Sequence, residues 1–253
     1  MGEGKMYNFD NYSQQLFEVD KVKIYLAKGS YNRITTVIPK PKSHVKCGYC
    51  HGELYVEFSG KTVATSTYLG GVTMANVNIL PAIIKRETGV SVSLDVLLNS
   101  RVTTVDVKHD MQLPHPIIVD NYISLLREMA FQSTGKTECI SYDKKCGFDH
   151  SILIKPTTKT TYDSLAIYNK YTEILDKRRN DGGYFKSFDT EFLETTVKHV
   201  IRFERRIRRA RELRRAFHLK KNETVTLYKI LNCKFDVVGE KVNKILGINM
   251  EGK

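Results

Sequence analysis

The sequence predicts an α+β fold: a central, mostly antiparallel sheet with helices packed on one face, a polar face opposite, and a short helical C-terminal tail. Two observations predict it. Strand-like and helix-like segments are interspersed without a strict βαβ rhythm. Four strand-like segments each carry apolar residues at alternate positions and charged or tyrosyl residues between them. No phosphate-binding loop and no G-x-G-x-x-G pattern is present, so no nucleotide cofactor is expected.

In chain order, residues 20–26 alternate apolar and polar and read as a strand. The two prolines within 39–42 mark a break. Residues 53–58 form a second strand, ended by Ser59-Gly60. Residues 77–88 read as a helix, with Pro81 near its start and Gly89 as its C-terminal cap. Residues 101–108 are rich in valine and threonine and form a strand. Residues 117–129 hold apolar residues at helical spacing. Residues 164–170 are a strand, followed by a charged helix to Arg179 and a turn at 181–183. Residues 198–207 fit strand or helix; 210–219 read as a helix and 223–246 as two short ones. The expected organisation is a flexible segment over 1–19, one domain over 20–221 and a helical tail over 222–253.

The 253 residues are 41 % hydrophobic and 27 % charged, an ordinary globular composition. The net charge of +12 favours a polyanionic partner, nucleic acid before anionic membrane. Between Lys198 and Lys221 eleven Lys and Arg face only Glu204 and Glu212, so this segment carries +9 of that charge. Its arginines (Arg202, Arg205, Arg206, Arg208, Arg209, Arg211, Arg214 and Arg215) are candidates for phosphate contacts, a solvated helix face being the plainer reading. The longest uncharged run, 62–84, is too polar for a membrane span, and the N-terminus has no apolar signal region. A cytoplasmic protein is expected.

The odd number of cysteines (Cys47, Cys50, Cys139, Cys146, Cys233) argues against a disulfide framework. Cys47-Gly-Tyr-Cys50-His51 matches a haem-attachment pattern and half of a zinc knuckle. Cys139 and Cys146 have the wrong spacing for the other half, so unligated cysteines are the plainer expectation.

Strand parity supplies the chemical candidates. Glu57, Asp106 with Lys108, and Tyr168 with Lys170 take the faces opposite the apolar ones, as do Arg202, Glu204 and Arg206 if 200–207 is a strand. If the strands are neighbours, they form a polar floor with three carboxylates, a tyrosine and several cations. Carboxylates suit Mg²⁺ or Mn²⁺, and a tyrosine beside them could attack phosphorus, with cations stabilising the transition state. A solvated sheet face carries such charges too. Tyr142, Tyr162 and Tyr171 are rival nucleophiles. Tyr49, Tyr55 and Tyr68 could stack on bases or pack in the core.

In order along the chain, LYVEFSG at 54–60 with YLGG at 68–71, RVTTVDV at 101–107, the helix over 116–127, SLAIYNKYTE at 164–173 and HVIRFERRI at 199–207 resemble the filamentous-phage replication initiators of the II/X type and their plasmid rolling-circle relatives. The resemblance covers roughly 20–219; the His-hydrophobe-His pair of related nickases has no counterpart. It implies a Rep-like fold and a site-specific, metal-dependent nickase that opens one DNA strand at an origin through a 5′-phosphotyrosine link. Carried over residue by residue, Tyr168 becomes the nucleophile with Lys170 beside it. Glu57, Asp106 and Glu204 become ligands of Mg²⁺ or Mn²⁺. The partners implied are origin DNA, single-stranded or supercoiled, and the host helicase and polymerase. A catalytically inert DNA-binding or copy-control protein on the same scaffold is the alternative. A zinc-stabilised RNA-binding module around Cys47 and Cys50 is a third reading.

Overall fold

The computed structural model describes residues 16–33, 44–63, 69–133, 138–142, 149–157, 162–180 and 190–247. Its elements are β1 (Glu18–Leu26), β2 (Asn32–Arg33), β3 (Val45–Cys50), β4 (Glu53–Ser59), α1 (Leu80–Thr88), β5 (Val90–Ser91), α2 (Leu94–Asn99) and β6 (Arg101–Gln112). There follow α3 (Ile118–Ser133), β7 (Glu138–Ser141), β8 (Ser151–Pro156), β9 (Asp163–Asn169), α4 (Lys170–Asn180), α5 (Thr190–Thr195), β10 (Val200–Arg208), α6 (Ala210–Ala216), α7 (Leu227–Leu231) and α8 (Val237–Leu246). The expected α+β class is what the chain adopts. Eight strands form one sheet in the order β3-β4-β1-β6-β10-β9-β8-β7, and each neighbouring pair is antiparallel.

Parity explains why the sheet has two unlike faces. Val22, Ile24, Leu54, Val56, Phe58, Val105, Val107, Ile201 and Ile207 lie on one face and are fully buried in one core. The same core takes Ile84 of α1, Leu97 of α2, Ile123 of α3, Leu213 of α6, Ile230 of α7 and Ile245 of α8. A fully buried aliphatic side chain contributes about 1.5–3 kcal/mol, so this layer dominates the stability of the fold. The opposite face is polar. Around its rim α4 and α5 make a smaller cluster from Ile174, Leu193 and Val197.

Local signals held in several places. A 3₁₀ turn, Val77–Ile79, leads into α1, Pro81 sits in its first turn, and Gly89 closes it at φ 73°, its N–H donating to the Lys85 carbonyl at 2.9 Å. The ambiguous 198–207 segment is a strand, β10, held between β6 and β9. Its tertiary setting decides this: Ile201, Phe203 and Ile207 reach the core only in extended geometry. The break at 39–42 and the turn at 181–183 lie outside the described residues.

The two ends of the chain differ from expectation. β1 starts at Glu18, and Phe17 and Val19 are buried, so the core begins before residue 20. The C-terminal helices belong to the main core rather than to a separate tail. The Val102 N–H donates to the Val225 carbonyl at 2.8 Å and ties them to β6. Cys47 and Cys50 lie three residues apart on β3, so their side chains take opposite faces and cannot together form half of a zinc knuckle. Cys146 is outside the described residues.

Candidate active site

The polar face is assembled by register. β10 sets Arg206 beside Asp106, Glu204 beside Lys108 and Arg202 beside Asp110 on β6. On its other side β10 sets Arg202 beside Tyr168 of β9. β1 brings Lys21 beside Asp106, and β4 brings Glu57 beside Lys23. A register shift between Val19 and Lys21 breaks the alternation of β1, and Asp20 joins the same face. Asn169 ends β9 and caps α4: its Oδ1 accepts from the N–H groups of Tyr171 and Thr172 at 3.0 and 3.2 Å. The helix then presents Lys170, Glu173 and Lys177 at i, i+3 and i+7, on one side.

These elements enclose a cavity of about 370 Å³. Its lining includes Tyr168, Lys170, Asp106, Glu204, Arg202 and Arg206, together with Asp20, Lys61, Glu173, Lys177 and Arg208. Six basic side chains thus face four acidic ones around one tyrosine, a lining suited to an anionic guest.

Tyr168 is 4 % exposed, and its hydroxyl donates to the Glu204 carboxylate at 2.6 Å. Arg206 donates to the other Glu204 oxygen at 2.6 Å. Burial raises the Tyr168 phenol well above its ordinary value, and the Glu204 charge adds to the rise. Burial would raise Glu204 too, but the Arg206 guanidinium and the Tyr168 hydroxyl outweigh it and hold the carboxyl at about 2. The resting pair is therefore phenol and carboxylate, with the tyrosine oxygen fixed and its proton directed at an acceptor.

The remaining charges are interlocked. Arg202 donates twice to Asp110, at 2.6 Å each, and once to Asp20 at 3.3 Å. Lys108 bridges Asp110 and Glu18, each at 3.0 Å. Asp106 pairs with Arg208. Burial nevertheless raises Asp106 to about 6, with Glu204 and Asp20 pushing in the same direction. Lys170 donates to Glu173 at 2.6 Å, and Lys177 pairs with the same carboxylate. Burial, then the neighbouring Arg202, lowers Lys170 to about 7. Burial and Lys170 likewise lower Lys61 to about 8.

Of the expected residues, Tyr168, Lys170, Asp106 and Glu204 meet in the cavity. Glu57 shares their face but not their cavity; it pairs with Lys21 at 2.7 Å. The expected three-carboxylate metal site therefore does not assemble. Among the described residues no three His, Cys, Asp or Glu side chains stand together as a metal site. Asp106 and Glu204 hold guanidinium groups where a cation would sit.

The basic run is likewise divided by the fold rather than forming one DNA-facing surface. Arg202 and Arg205 are buried and paired with carboxylates. Arg205 takes the core side of β10, donating to both oxygens of Asp163 at 2.9 and 2.8 Å and to the Val237 carbonyl at 2.6 Å. Arg206 and Arg208 face the cavity. Arg209, Arg211 and Arg215 are exposed and Arg214 half-buried. The rival tyrosines stay outside the cavity lining: Tyr162 lies under Arg209, its ring centroid 3.9 Å from the guanidinium carbon, Tyr171 donates to Glu194 and Tyr142 is exposed.

Sequence reasoning missed Asp20, Lys61, Asp110, Glu173 and Lys177. Three of them carried a signal. Asp110 continues the parity of Asp106 and Lys108, and Glu173 and Lys177 follow Lys170 at helical spacing. Asp20 depends on a bulge and Lys61 on a 3₁₀ turn after β4, and neither has a periodicity to read.

No family model and no curated protein matches this chain. Among solved structures, it is similar to a rolling circle replication initiator protein from Geobacillus stearothermophilus. Identity is 10 %, with 92 % of this chain and 98 % of that one covered, at a TM-score of 0.32. Among the described residues no helix is long and apolar enough to cross a membrane.

Proposed function

We propose that this chain is a rolling-circle replication initiator that nicks one DNA strand through Tyr168. The observation that carries this reading is the buried Tyr168 hydroxyl, donating to Glu204 at 2.6 Å within a cavity richer in cations than in carboxylates. A tyrosine held this way on a structural ground alone would not need a cationic cavity over it. The sequence resemblance to the II/X initiators supports the same residue in the same role.

In the proposed reaction the phosphodiester enters the cavity and meets Arg206, Arg208 and Lys170. Tyr168 Oη attacks phosphorus, and its proton passes to Glu204. The bond from phosphorus to the 3′ oxygen breaks, leaving a 5′-phosphotyrosine. Lys170, an ammonium at a pKa of about 7, gives its proton to the leaving 3′ oxygen. The reverse steps reseal the strand, and because the phosphotyrosine conserves the broken bond, no nucleotide is consumed. Entry of the phosphate competes with Glu204 for Arg206. As that guanidinium turns to the phosphate, Glu204 becomes a stronger base for the phenol.

The test is a nicking assay on supercoiled DNA of the replicon that encodes the chain, with Mg²⁺, with Mn²⁺ and with chelator. Wild type and Tyr168→Phe run side by side on denaturing gels. Nicking with protein attached to a 5′ end, lost in Tyr168→Phe, is the expected result. Nicking that survives the substitution removes Tyr168 from the role. Tight DNA binding with no nicking under any metal condition favours the inert-binder alternative. The chelator arm reads whether a divalent ion takes the places that Arg206 and Arg208 hold.

A further inference from the structure

The polar face does not end at the cavity. Along β1 from Lys21, which is level with Asp106, comes Lys23 beside Glu57 and then Tyr25. Tyr25 lies between Tyr55 of β4 and Arg101 of β6. At about 3.4 Å per residue, Tyr25 stands roughly 14 Å from the level of Asp106.

The side chains there are arranged as an aromatic and cationic platform. The Tyr25 and Tyr55 rings lie 6.1 Å apart at 52°. Lys23 Nζ sits 3.8 Å from the Tyr55 centroid and 5.5 Å from that of Tyr25. The Arg101 guanidinium is 4.7 Å from the Tyr25 centroid. Both rings are half-buried and Arg101 is exposed. A Cβ at Gly48 would approach Tyr55 Oη to 2.9 Å, so the ring lies across β3 where there is no side chain. Cross-strand aromatic pairs also stabilise sheets by packing alone. Here the pair keeps part of its surface in water, on the face that leads to a cationic cavity.

We propose that Tyr25 and Tyr55, with Lys23 and Arg101, form a stacking platform for unpaired DNA bases running out of the cavity. The proposal rests on the nickase reading and adds to it the path of the strand. Every base has a π-face, so the platform supplies affinity without sequence preference, while Lys23 and Arg101 meet the phosphates. The distance corresponds to a few nucleotides of extended strand between the scissile phosphate and the stacked bases.

The experiment compares binding of two fluorescein-labelled strands of equal length, an oligodeoxythymidylate and its fully abasic counterpart, which keeps the phosphates. Wild type is expected to bind the base-bearing strand about tenfold tighter. The Tyr25→Leu/Tyr55→Leu double variant is expected to lose that ratio while retaining its affinity for the abasic strand and its circular dichroism spectrum. Gly48→Val crowds the Tyr55 ring without deleting it and is expected to reduce the ratio as well. A ratio unchanged in the double variant, or a ratio of one in wild type, overturns the platform. Tyr168-dependent nicking that persists beside such a result leaves the nickase reading standing; its absence in wild type overturns that reading too.

Discussion

At the scale of single residues the site is defined by what its neighbours do to its protons. Tyr168 cannot ionise alone in this setting, because burial and the Glu204 charge both oppose the phenolate. Glu204→Gln keeps the shape and removes the charged acceptor. Phosphotyrosine formation in single turnover is expected to fall by about 10²-fold or more, with DNA affinity retained; a rate near wild type would remove Glu204 as the base. Lys170 makes a pH prediction. Its ammonium form is present below about 7 and is lost as pH rises through that value. If it donates to the leaving oxygen, the rate falls as pH rises through about 7. Lys170→Arg keeps its charge but cannot release the proton, so its rate is expected to be low and without that decline. A wild-type profile flat from pH 6 to about 9 would contradict the donor role.

At the scale of elements, β10 sends its arginines to two destinations, the cavity and the core side, while the exposed ones follow on α6. Arg205 neutralises Asp163 on the core side, with Lys241 4.0 Å from the same carboxylate. Arg205→Ala leaves a buried carboxylate short of its main partner and is expected to cost about 3–5 kcal/mol in denaturant unfolding. Arg211 follows on α6 and is exposed. Arg211→Ala is expected to change stability by less than about 0.5 kcal/mol and to lower the salt slope of DNA binding by about one. Equal unfolding costs for the two would contradict the division. The contrast also shows what was legible. The faces of Glu57, Asp106 and Tyr168 followed from strand period, since side chains alternate along a regular strand, while that of Glu204 needed β10 to be a strand first. Which of those side chains share a cavity did not follow, since that depends on strand order, and β4 lies two strands from β10's neighbour β6. The basic run read as one surface because counting charges ignores the turn at Arg209, where strand becomes helix with φ at 71°.

At the scale of the whole molecule, the C-terminal helices are structural rather than appended. Leu227, Ile230, Leu231, Val237, Val238 and Ile245 are all buried by 97 % or more. At about 1.5–3 kcal/mol each, removing them forfeits as much as the 5–15 kcal/mol that typically separates folded from unfolded domains. A chain ended at residue 221 is therefore expected to lose its cooperative thermal transition and to be degraded rapidly by protease. A truncated chain that melts like the full one would return the segment to the status of a tail. The sequence showed two amphipathic helices there but held no local signal for where they dock.

The strand order has a kinetic meaning as well. Among the described residues β10 is the one strand joining β3-β4-β1-β6 to β9-β8-β7, and it is the last strand in sequence order. Before it inserts, β6 and β9 each present an open edge of unpaired backbone groups. Asp106 and Tyr168 then belong to separate half-sheets with nothing to fix their distance. All of these pairings are distant in sequence, which makes folding slow and leaves the open edges available to other chains meanwhile. During synthesis, Tyr168, Glu204 and the basic side chains around them come together only once residue 208 has left the ribosome. A nascent chain of this protein thus carries no assembled site, and the cavity forms in one late closing step.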